Sequence, residues 1–216
     1  MPKGQVGVLE IGDSLGEDLG IGMVNALASS PRVHLEALAV GDTGLSNQGY
    51  YNWPAHLQAE LSEYHPQVVV VFLGGNDMQG FVNGSTVESV GTPGWRRAYA
   101  ARVGEIIDEA TRAGAKVLWV GMPIMESPSF SAEMAGLNSI YESVVRRYTG
   151  ATYFSSWQLF ANSAGQYVGT KPGPDGQTLV LRDPDGIHLD GDGCNLIGRA
   201  VVHQLAKLYG IKVGPS

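Results

Sequence analysis

The sequence predicts an α/β fold, a doubly wound sandwich on five parallel strands. Two features of the chain predict it. Short apolar runs rich in β-branched residues alternate with longer stretches in which apolar residues recur at helical spacing. The runs are also almost continuously apolar, as in Val68 to Leu73, which is typical of strands buried on both faces of a parallel sheet.

The elements follow one another in the order that such a sandwich requires. Strands are predicted at Val6 to Ile11, Val33 to Val40, Gln67 to Leu73, Lys116 to Met122 and Thr152 to Phe154. A helix is predicted over Arg97 to Ala113 and ends at Gly114, because glycine is a typical residue at the C-terminal end of a helix. Another is predicted over Asn195 to Tyr209 and ends at Gly210.

One segment interrupts the alternation of strand and helix. Residues Gly165 to Arg182 are irregular, and a small hairpin is predicted to turn at Pro174-Asp175-Gly176. The segment is either a flap over a functional site or a surface excursion. No internal repeat or linker divides the chain, so a single domain is predicted over residues 1–216.

Composition and charge restrict the class of protein. Hydrophobic residues make up 44% of the chain and charged residues 16%, which indicates a globular protein. The formal net charge is −7 and the 14 Lys and Arg residues are spread out, so no nucleic-acid partner is expected and a neutral substrate is favoured. Cys194 is the only cysteine, which excludes an intramolecular disulfide and predicts a buried, inert thiol.

Hydropathy bears on where the protein acts. No apolar run approaches the roughly 18 residues that a membrane span needs. No secretory signal precedes the first strand, because residues 1–4 lead straight into it. As written, the chain is expected to be cytoplasmic; as part of a longer exported protein, it would be an extracytoplasmic domain. The sequence indicates no oligomeric state.

The turn after the first strand carries a candidate nucleophile. In an open α/β sheet, ligands bind beyond the carboxyl ends of the strands. There the sequence reads Gly12-Asp13-Ser14-Leu15-Gly16, and the glycines permit a tight turn into a helix. The positive end of that helix would point at Ser14, which suits an exposed nucleophile, although a serine that caps the helix is an alternative.

The turns after the second and third strands offer hydrogen-bond donors. In Gly41-Asp42-Thr43-Gly44, small residues let backbone N–H groups face a pocket; a plain turn is the alternative. In Gly74-Gly75-Asn76-Asp77, the asparagine amide can donate to a developing oxyanion; an ordinary Asn-Asp turn is the alternative.

The turn before the last predicted helix carries a candidate base. In Asp185-Gly186-Ile187-His188, the carboxylate can accept the histidine N–H, fix its tautomer and stabilise the imidazolium. Each of the four turns is a weak signal alone. Together and in this order they predict a serine hydrolase, with Ser14 as nucleophile, His188 as general base and Asp185 orienting it.

These motifs resemble the SGNH hydrolases, also called the GDSL lipase/esterase family, from about Val6 to Leu208. The matching blocks are Gly12-Asp13-Ser14-Leu15, Gly41, Gly74-Gly75-Asn76-Asp77 and Asp185-Gly186-Ile187-His188. Gly41 to Leu45 followed by Tyr50 to Pro54 is similar to a bacterial branch that is often secreted or joined to membrane acyltransferase domains.

The resemblance implies a fold and a set of roles. The fold would be a flavodoxin-like three-layer α/β/α sandwich with a central five-stranded parallel sheet. Ser14 would attack a small-molecule or carbohydrate ester, and the N–H groups of Ser14 and Gly41 with the Asn76 side chain would hold the oxyanion. Asp185 would orient His188. No metal and no organic cofactor are expected.

Other residues near the motifs allow two interpretations each. Gly41 is preferred to Gly44 as the second-block glycine, Asp185 to Asp183 as the partner of the histidine, and Asp77 is interpreted as a brace for its loop. Five residues could line a substrate subsite or simply pack in the interior: Gly44, Tyr51, Trp53, Met122 and Met125. The other histidines lack metal-binding spacing and receive no role: His34, His56, His65 and His203.

The leading hypothesis is therefore an esterase for short acyl groups, such as acetyl groups on carbohydrate. One alternative is an O-acyltransferase, in which a sugar hydroxyl intercepts the same acyl-enzyme. A non-catalytic carbohydrate-binding module is a further alternative. It is disfavoured because such a module has no need for Ser14, Asn76, Asp185 and His188 together.

Overall fold

The computed structural model of the protein describes residues 4–210. Residues 1–3, on which the expected absence of a secretory signal rests, lie outside the described residues. Residues 211–216, at the end of the predicted domain, lie outside them as well.

Strands and helices alternate along most of the described chain. In chain order they are β1 (Val6–Gly12), α1 (Ser14–Leu27), β2 (Val33–Ala37), α2 (Trp53–Tyr64), β3 (Val68–Phe72), β4 (Phe81–Asn83), β5 (Thr86–Glu88), α3 (Pro93–Arg112), β6 (Lys116–Gly121), α4 (Pro128–Val145), β7 (Ala151–Ser155), β8 (Thr170–Pro172), β9 (Thr178–Val180) and α5 (Gly191–Tyr209).

The central sheet confirms the predicted fold class. Its five strands lie in the order β2-β1-β3-β6-β7, and every neighbouring pair is parallel. Helix α1 packs on α5, while α3 packs on α2 and α4, so helices flank the sheet in a three-layer α/β/α sandwich. The predicted burial of the third strand is also confirmed, since no residue of β3 is more than 2% exposed.

Several strand and helix boundaries differ from the prediction; helix α5, for example, begins at Gly191 rather than Asn195. Strand β2 ends at Ala37 rather than Val40, although the N–H groups of Leu38 and Val40 still donate to carbonyls of β1. Helix α3 begins at Pro93 rather than Arg97, because Thr92 caps it by accepting from the Trp95 N–H at 3.2 Å.

Two small hairpins lie outside the central sheet. Strands β8 and β9 form the predicted one, in which the Gly173 N–H donates to the Gln177 carbonyl at 2.8 Å and Gly176 has a φ of +78°. Strands β4 and β5 form another, which the sequence analysis did not predict.

Two earlier expectations concern the burial of Cys194 and the absence of a membrane span. Cys194 is buried as predicted, and burial raises the pKa of its thiol to about 12. Within residues 4–210, none of the helices combines the length and apolar character needed to cross a membrane.

Helices α1 and α5 meet at two glycines. A Cβ atom added to Gly22 would lie 1.8 Å from the Cys194 carbonyl oxygen, and one added to Gly198 would lie 2.1 Å from the Gly22 carbonyl carbon. Neither backbone can retreat without separating the helices, so both positions require glycine. This contact fixes the distance between the two helices.

We expect Gly22→Ala to lower the free energy of unfolding by about 3 kcal/mol, because the methyl group forces α1 away from α5. The measurement is urea unfolding followed by circular dichroism. Gly136→Ala is the matched control: it lies in α4 with no atom near an added Cβ, so it should raise stability by roughly 0.5–1 kcal/mol. Equal effects of the two changes would contradict the close contact.

Candidate active site

Asp13 joins two of the turns at the carboxyl edge of the sheet. Its Oδ1 accepts from the Leu15 N–H at 3.0 Å and caps α1. Its Oδ2 accepts from the N–H groups of Gly74 and Gly75 at 2.9 and 2.8 Å. Burial raises the pKa of Asp13 to about 6, and these backbone donors oppose the shift. The carboxyl group therefore holds Ser14, the next residue, against the turn that carries Asn76.

Ser14, His188 and Asp185 form one continuous hydrogen-bonded row. The His188 Nε2 lies 2.9 Å from the Ser14 Oγ, and the His188 Nδ1 lies 2.6 Å from the Asp185 Oδ2. The other Asp185 oxygen accepts from the N–H groups of Ile187 and His188. The structure thus brings together all three residues of the predicted triad, which lie 174 positions apart in the sequence at the Ser14–His188 contact.

The alternative partner, Asp183, is hydrogen-bonded in this loop through its backbone, and its charge adds a smaller effect on the pKa of His188. Its N–H donates to the His188 carbonyl at 3.0 Å, and its carbonyl accepts from the Gly186 N–H. Gly186 has a φ of +70°, and a Cβ there would lie 2.4 Å from the Glu126 Cβ, so the turn between Asp185 and His188 requires glycine. The geometry therefore favours Asp185.

The charges of the two partners stabilise one another. The hydrogen bond that His188 donates to Asp185 raises the pKa of His188, against the effect of partial burial. Partial burial also pushes the pKa of Asp185 up, but the hydrogen bonds from His188 and from the Ile187 N–H outweigh it and leave this pKa below its ordinary value. The His188 side chain is 39% exposed and the Asp185 side chain 44%, so the row lies at an open surface.

A second carboxyl group lies beside the histidine. The Asp18 Oδ2 accepts from the Leu189 N–H at 2.8 Å and so ties α1 to the residue after His188. Burial raises the pKa of Asp18 to about 6, while the Leu189 N–H and His188 oppose the shift. Its negative charge in turn raises the pKa of His188.

Arg182 stabilises the loop that carries His188. Its guanidinium donates to the carbonyls of Ile124 and Ile187, and it lies 4.4 Å from the centroid of the Phe160 ring. Burial lowers the pKa of Arg182 to about 10. The buried guanidinium therefore links the turn after β6 to the residue that precedes His188.

The Asn76 side chain of the third turn is held by one hydrogen bond. The Asn76 Nδ2 donates to the Thr43 carbonyl at 2.9 Å. An amide nitrogen carries two hydrogens, so the second remains to donate elsewhere. Thr43 is itself fixed, because its hydroxyl donates to the Val40 carbonyl and accepts from the Trp53 indole.

The backbone donor predicted at Gly41 already has a partner. The Gly41 N–H donates to the Glu17 Oε1 at 3.1 Å. Glu17 is exposed and lies one helical turn after Ser14 on α1. A substrate oxygen that bound this N–H would have to displace the carboxylate.

Asp77 acts as the brace that the sequence analysis predicts. The carboxyl group is fully buried, and it accepts from the Ser46 N–H and the Tyr99 hydroxyl at 2.6 Å each. Tyr99 is also hydrogen-bonded to Tyr141, whose hydroxyl donates to the Leu73 carbonyl. The network connects the second and third turns to helices α3 and α4.

Most of the predicted subsite residues lie in the core instead. Trp53, Met122 and Met125 are at most 2% exposed. Gly44 is buried, and an added Cβ would lie 2.4 Å from the Asp77 Oδ1. These four present no surface to a substrate. The side chains of Trp53, Met122 and Met125 pack in the core, and Gly44 lies against Asp77. Only Tyr51 is partly exposed, and its ring stacks on His56.

Three residues of the site were not predicted from the sequence. Glu17 and Asp18 lie three and four positions after Ser14, the spacing at which helix residues share a face, and that spacing is the signal that could have found them. Arg182 gave no such signal, since its partners are distant carbonyl groups. In residues 4–210, no group of three or more His, Cys, Asp or Glu side chains is arranged to hold a metal ion.

A family model matches most of the chain. It is described as "Protein of unknown function (DUF459)" and matches residues 7–204. No curated protein matches the sequence.

Several solved structures share the fold. A GDSL-like lipase from Bacteroides thetaiotaomicron has a TM-score of 0.66 and 13% identity, over 96% of this chain and 91% of that chain. TesA has a TM-score of 0.64 and 22% identity, over 94% and 99%. An acetylxylan esterase from Geobacillus stearothermophilus has a TM-score of 0.61 and 14% identity, over 100% of both chains. At these identities the likeness shows the fold alone.

We expect Asp185→Asn to lower the pKa of His188, because the hydrogen bond that His188 donates to the charged carboxylate is what chiefly raises it. Asp18→Asn should lower it by a smaller amount, since Asp18 acts only through its charge. The measurement is the titration of the imidazole signals by NMR. Glu63→Gln, exposed on α2, is the control and should leave the titration unchanged. An unchanged His188 titration in Asp185→Asn would contradict the pairing.

Proposed function

The chain belongs to the DUF459 family, and we propose that it is a serine ester hydrolase of the SGNH type. The observation that carries the proposal is the hydrogen-bonded row of Ser14, His188 and Asp185. A serine is a weak nucleophile unless a base lies within hydrogen-bond distance, and the base needs a third group to fix its tautomer. The fold shared with esterases and a GDSL-like lipase supports the proposal.

The proposed reaction proceeds through an acyl-enzyme. His188 Nε2 takes the proton of Ser14 as the Ser14 Oγ attacks the ester carbonyl carbon. The oxyanion binds the N–H groups of Ser14 and Gly41 and the second N–H of the Asn76 amide. The bond to the alcohol oxygen then breaks, and His188 protonates that oxygen as it leaves. Water repeats the sequence on the acyl-enzyme and releases the carboxylic acid.

Short acyl groups on a large alcohol such as a carbohydrate are the substrates that we propose. The exposed side chains of His188 and Asp185 leave the row open to groups presented on a bulky substrate. The acetylxylan esterase of similar fold is consistent with this class. The overall negative charge of the chain likewise favours neutral sugars over acidic ones.

We expect Ser14→Ala to lower the rate of hydrolysis of p-nitrophenyl acetate by about 10⁴- to 10⁶-fold, because the acyl group then has no oxygen to bind. The released p-nitrophenol is measured at 400 nm as an initial rate, with butyrate and octanoate esters alongside to report the preferred acyl length. Ser62→Ala is the matched control, since that hydroxyl is exposed on α2. Full activity in Ser14→Ala would reject the proposed nucleophile.

We expect Glu17→Ala to raise kcat/KM for the same ester by roughly 3- to 10-fold, because a negative charge beside a developing oxyanion raises the barrier. The change also frees the Gly41 N–H, which Glu17 now occupies. Glu63→Ala, on the exposed face of α2, should have no effect. A fall in kcat/KM would show that the oxyanion does not use the Gly41 N–H.

A further inference from the structure

A groove lies between α1 and the edge strand β2, on the side of α1 that leads away from Ser14. Its volume is about 410 Å³, and it extends along α1 from Glu17 to Asn25. Eight helical residues correspond to roughly 12 Å. The walls are mainly apolar, and two of them, Ile21 and Val24, are each 55% exposed. A volume of this size is typical of small-molecule sites.

The carboxyl group of Glu10, on β1, lies at the bottom of the groove, beneath small lining residues. Glu10 is 0% exposed, and neither of its oxygens has a hydrogen-bond partner among residues 4–210. Buried polar groups are nearly always hydrogen-bonded, because an unmade bond in the interior is costly. This carboxyl group therefore requires a donor that the described chain does not supply.

Glycines on α1 make room for that carboxyl group. A Cβ added to Gly16 would lie 3.0 Å from the Glu10 Oε1, and one added to Gly20 would lie 3.5 Å from the Oε2. The small side chains of Ala37 and Ala39 lie opposite these two glycines. Small residues thus stand between the carboxyl group and the open groove, so a ligand head group reaches it when this wall is displaced.

The charges around the groove indicate the chemistry of the ligand. Its ionisable lining groups are the carboxyls of Glu10 and Glu17, and no lysine or arginine of the described chain lines it. A fatty acid or phosphate would meet the negative charge of Glu17 there and no positive charge among the lining residues. An ammonium group supplies the missing donors, and an alkyl body would cover the exposed side chains of Ile21 and Val24.

We propose that this groove binds a primary alkylammonium ion, with the ammonium group on Glu10 and the alkyl chain along α1. The site is separate from the Ser14–His188–Asp185 row, and it does not depend on ester hydrolysis. Glu17 lies at the end of the groove nearest Ser14.

The protonation of the Glu10 carboxyl gives the proposed binding a measurable consequence. Burial raises its pKa well above the ordinary value, and the facing carboxyls of Asp13 and Glu17 raise it further. The strands on either side present only Ala37 and Val70 in register with it. Burial and these neighbours thus favour the protonated carboxyl, whereas a bound cation favours the charged form. Binding should release a proton.

The test is isothermal titration calorimetry of the full chain with hexylammonium chloride at pH 6, in two buffers of different ionisation enthalpy. We expect one saturable site, a heat that differs between the buffers because a proton is released, and no comparable binding of hexanoate. Glu10→Gln keeps the shape and removes the charge, and it should weaken binding roughly 10- to 100-fold. Glu63→Gln should bind as the unmodified chain does.

A second variant tests the groove without touching its floor. Val24→Lys places a cation on the exposed wall, at a position where lysine is well tolerated in a helix, and it should also weaken binding at least roughly tenfold. Circular dichroism confirms that each variant is folded. The proposal is overturned by the absence of saturable heat, by equal binding of hexanoate, by a heat independent of buffer, or by undiminished binding in both variants.

Discussion

One buried carboxyl group, that of Asp13, determines where the candidate active site lies. It accepts N–H groups from the first turn of α1 and from the turn after β3, so two segments 61 residues apart meet at a single side chain. Both segments carry proposed catalytic groups, Ser14 on one and Asn76 on the other. Their separation is thus set by backbone hydrogen bonds to a fixed group rather than by flexible side chains, which is the preorganisation that catalysis requires.

The sequence predicted the sheet, the proximity of Ser14, His188 and Asp185, and the role of Asp77 in bracing its loop. Each of these depends on apolar runs or short motifs that can be read directly in the chain. Buried parallel strands are apolar throughout, and motifs at their carboxyl ends meet at one edge. What it could not predict depends on side-chain reach and on packing density. The contact between Glu17 and the Gly41 N–H joins residues 24 positions apart through one rotamer. Met122 and Met125 follow a strand at the right edge, yet the tight core beneath the turns takes up both.

Three fully buried carboxyl groups, one on β1 and two in the turns after β1 and β3, differ in the number of hydrogen bonds that they accept. Asp13 and Asp77 each receive several donors, which offsets the cost of removing a charge from water. Glu10 lies three positions before Asp13 and receives none from the described chain. The first two therefore hold the turns in place, whereas the third makes no hydrogen bond within the described chain. Burial alone does not separate these cases; the count of donors does.

The glycine contact between α1 and α5 also has a consequence for how the protein is made. The proposed nucleophile, Ser14, begins α1, and the proposed base, His188, lies 174 positions later, just before α5. On the ribosome, α1 emerges long before the helix that packs on its Gly22 face. A nascent chain therefore carries Ser14 without His188 until the segment before α5 has been translated, and the two side chains meet only when α5 docks.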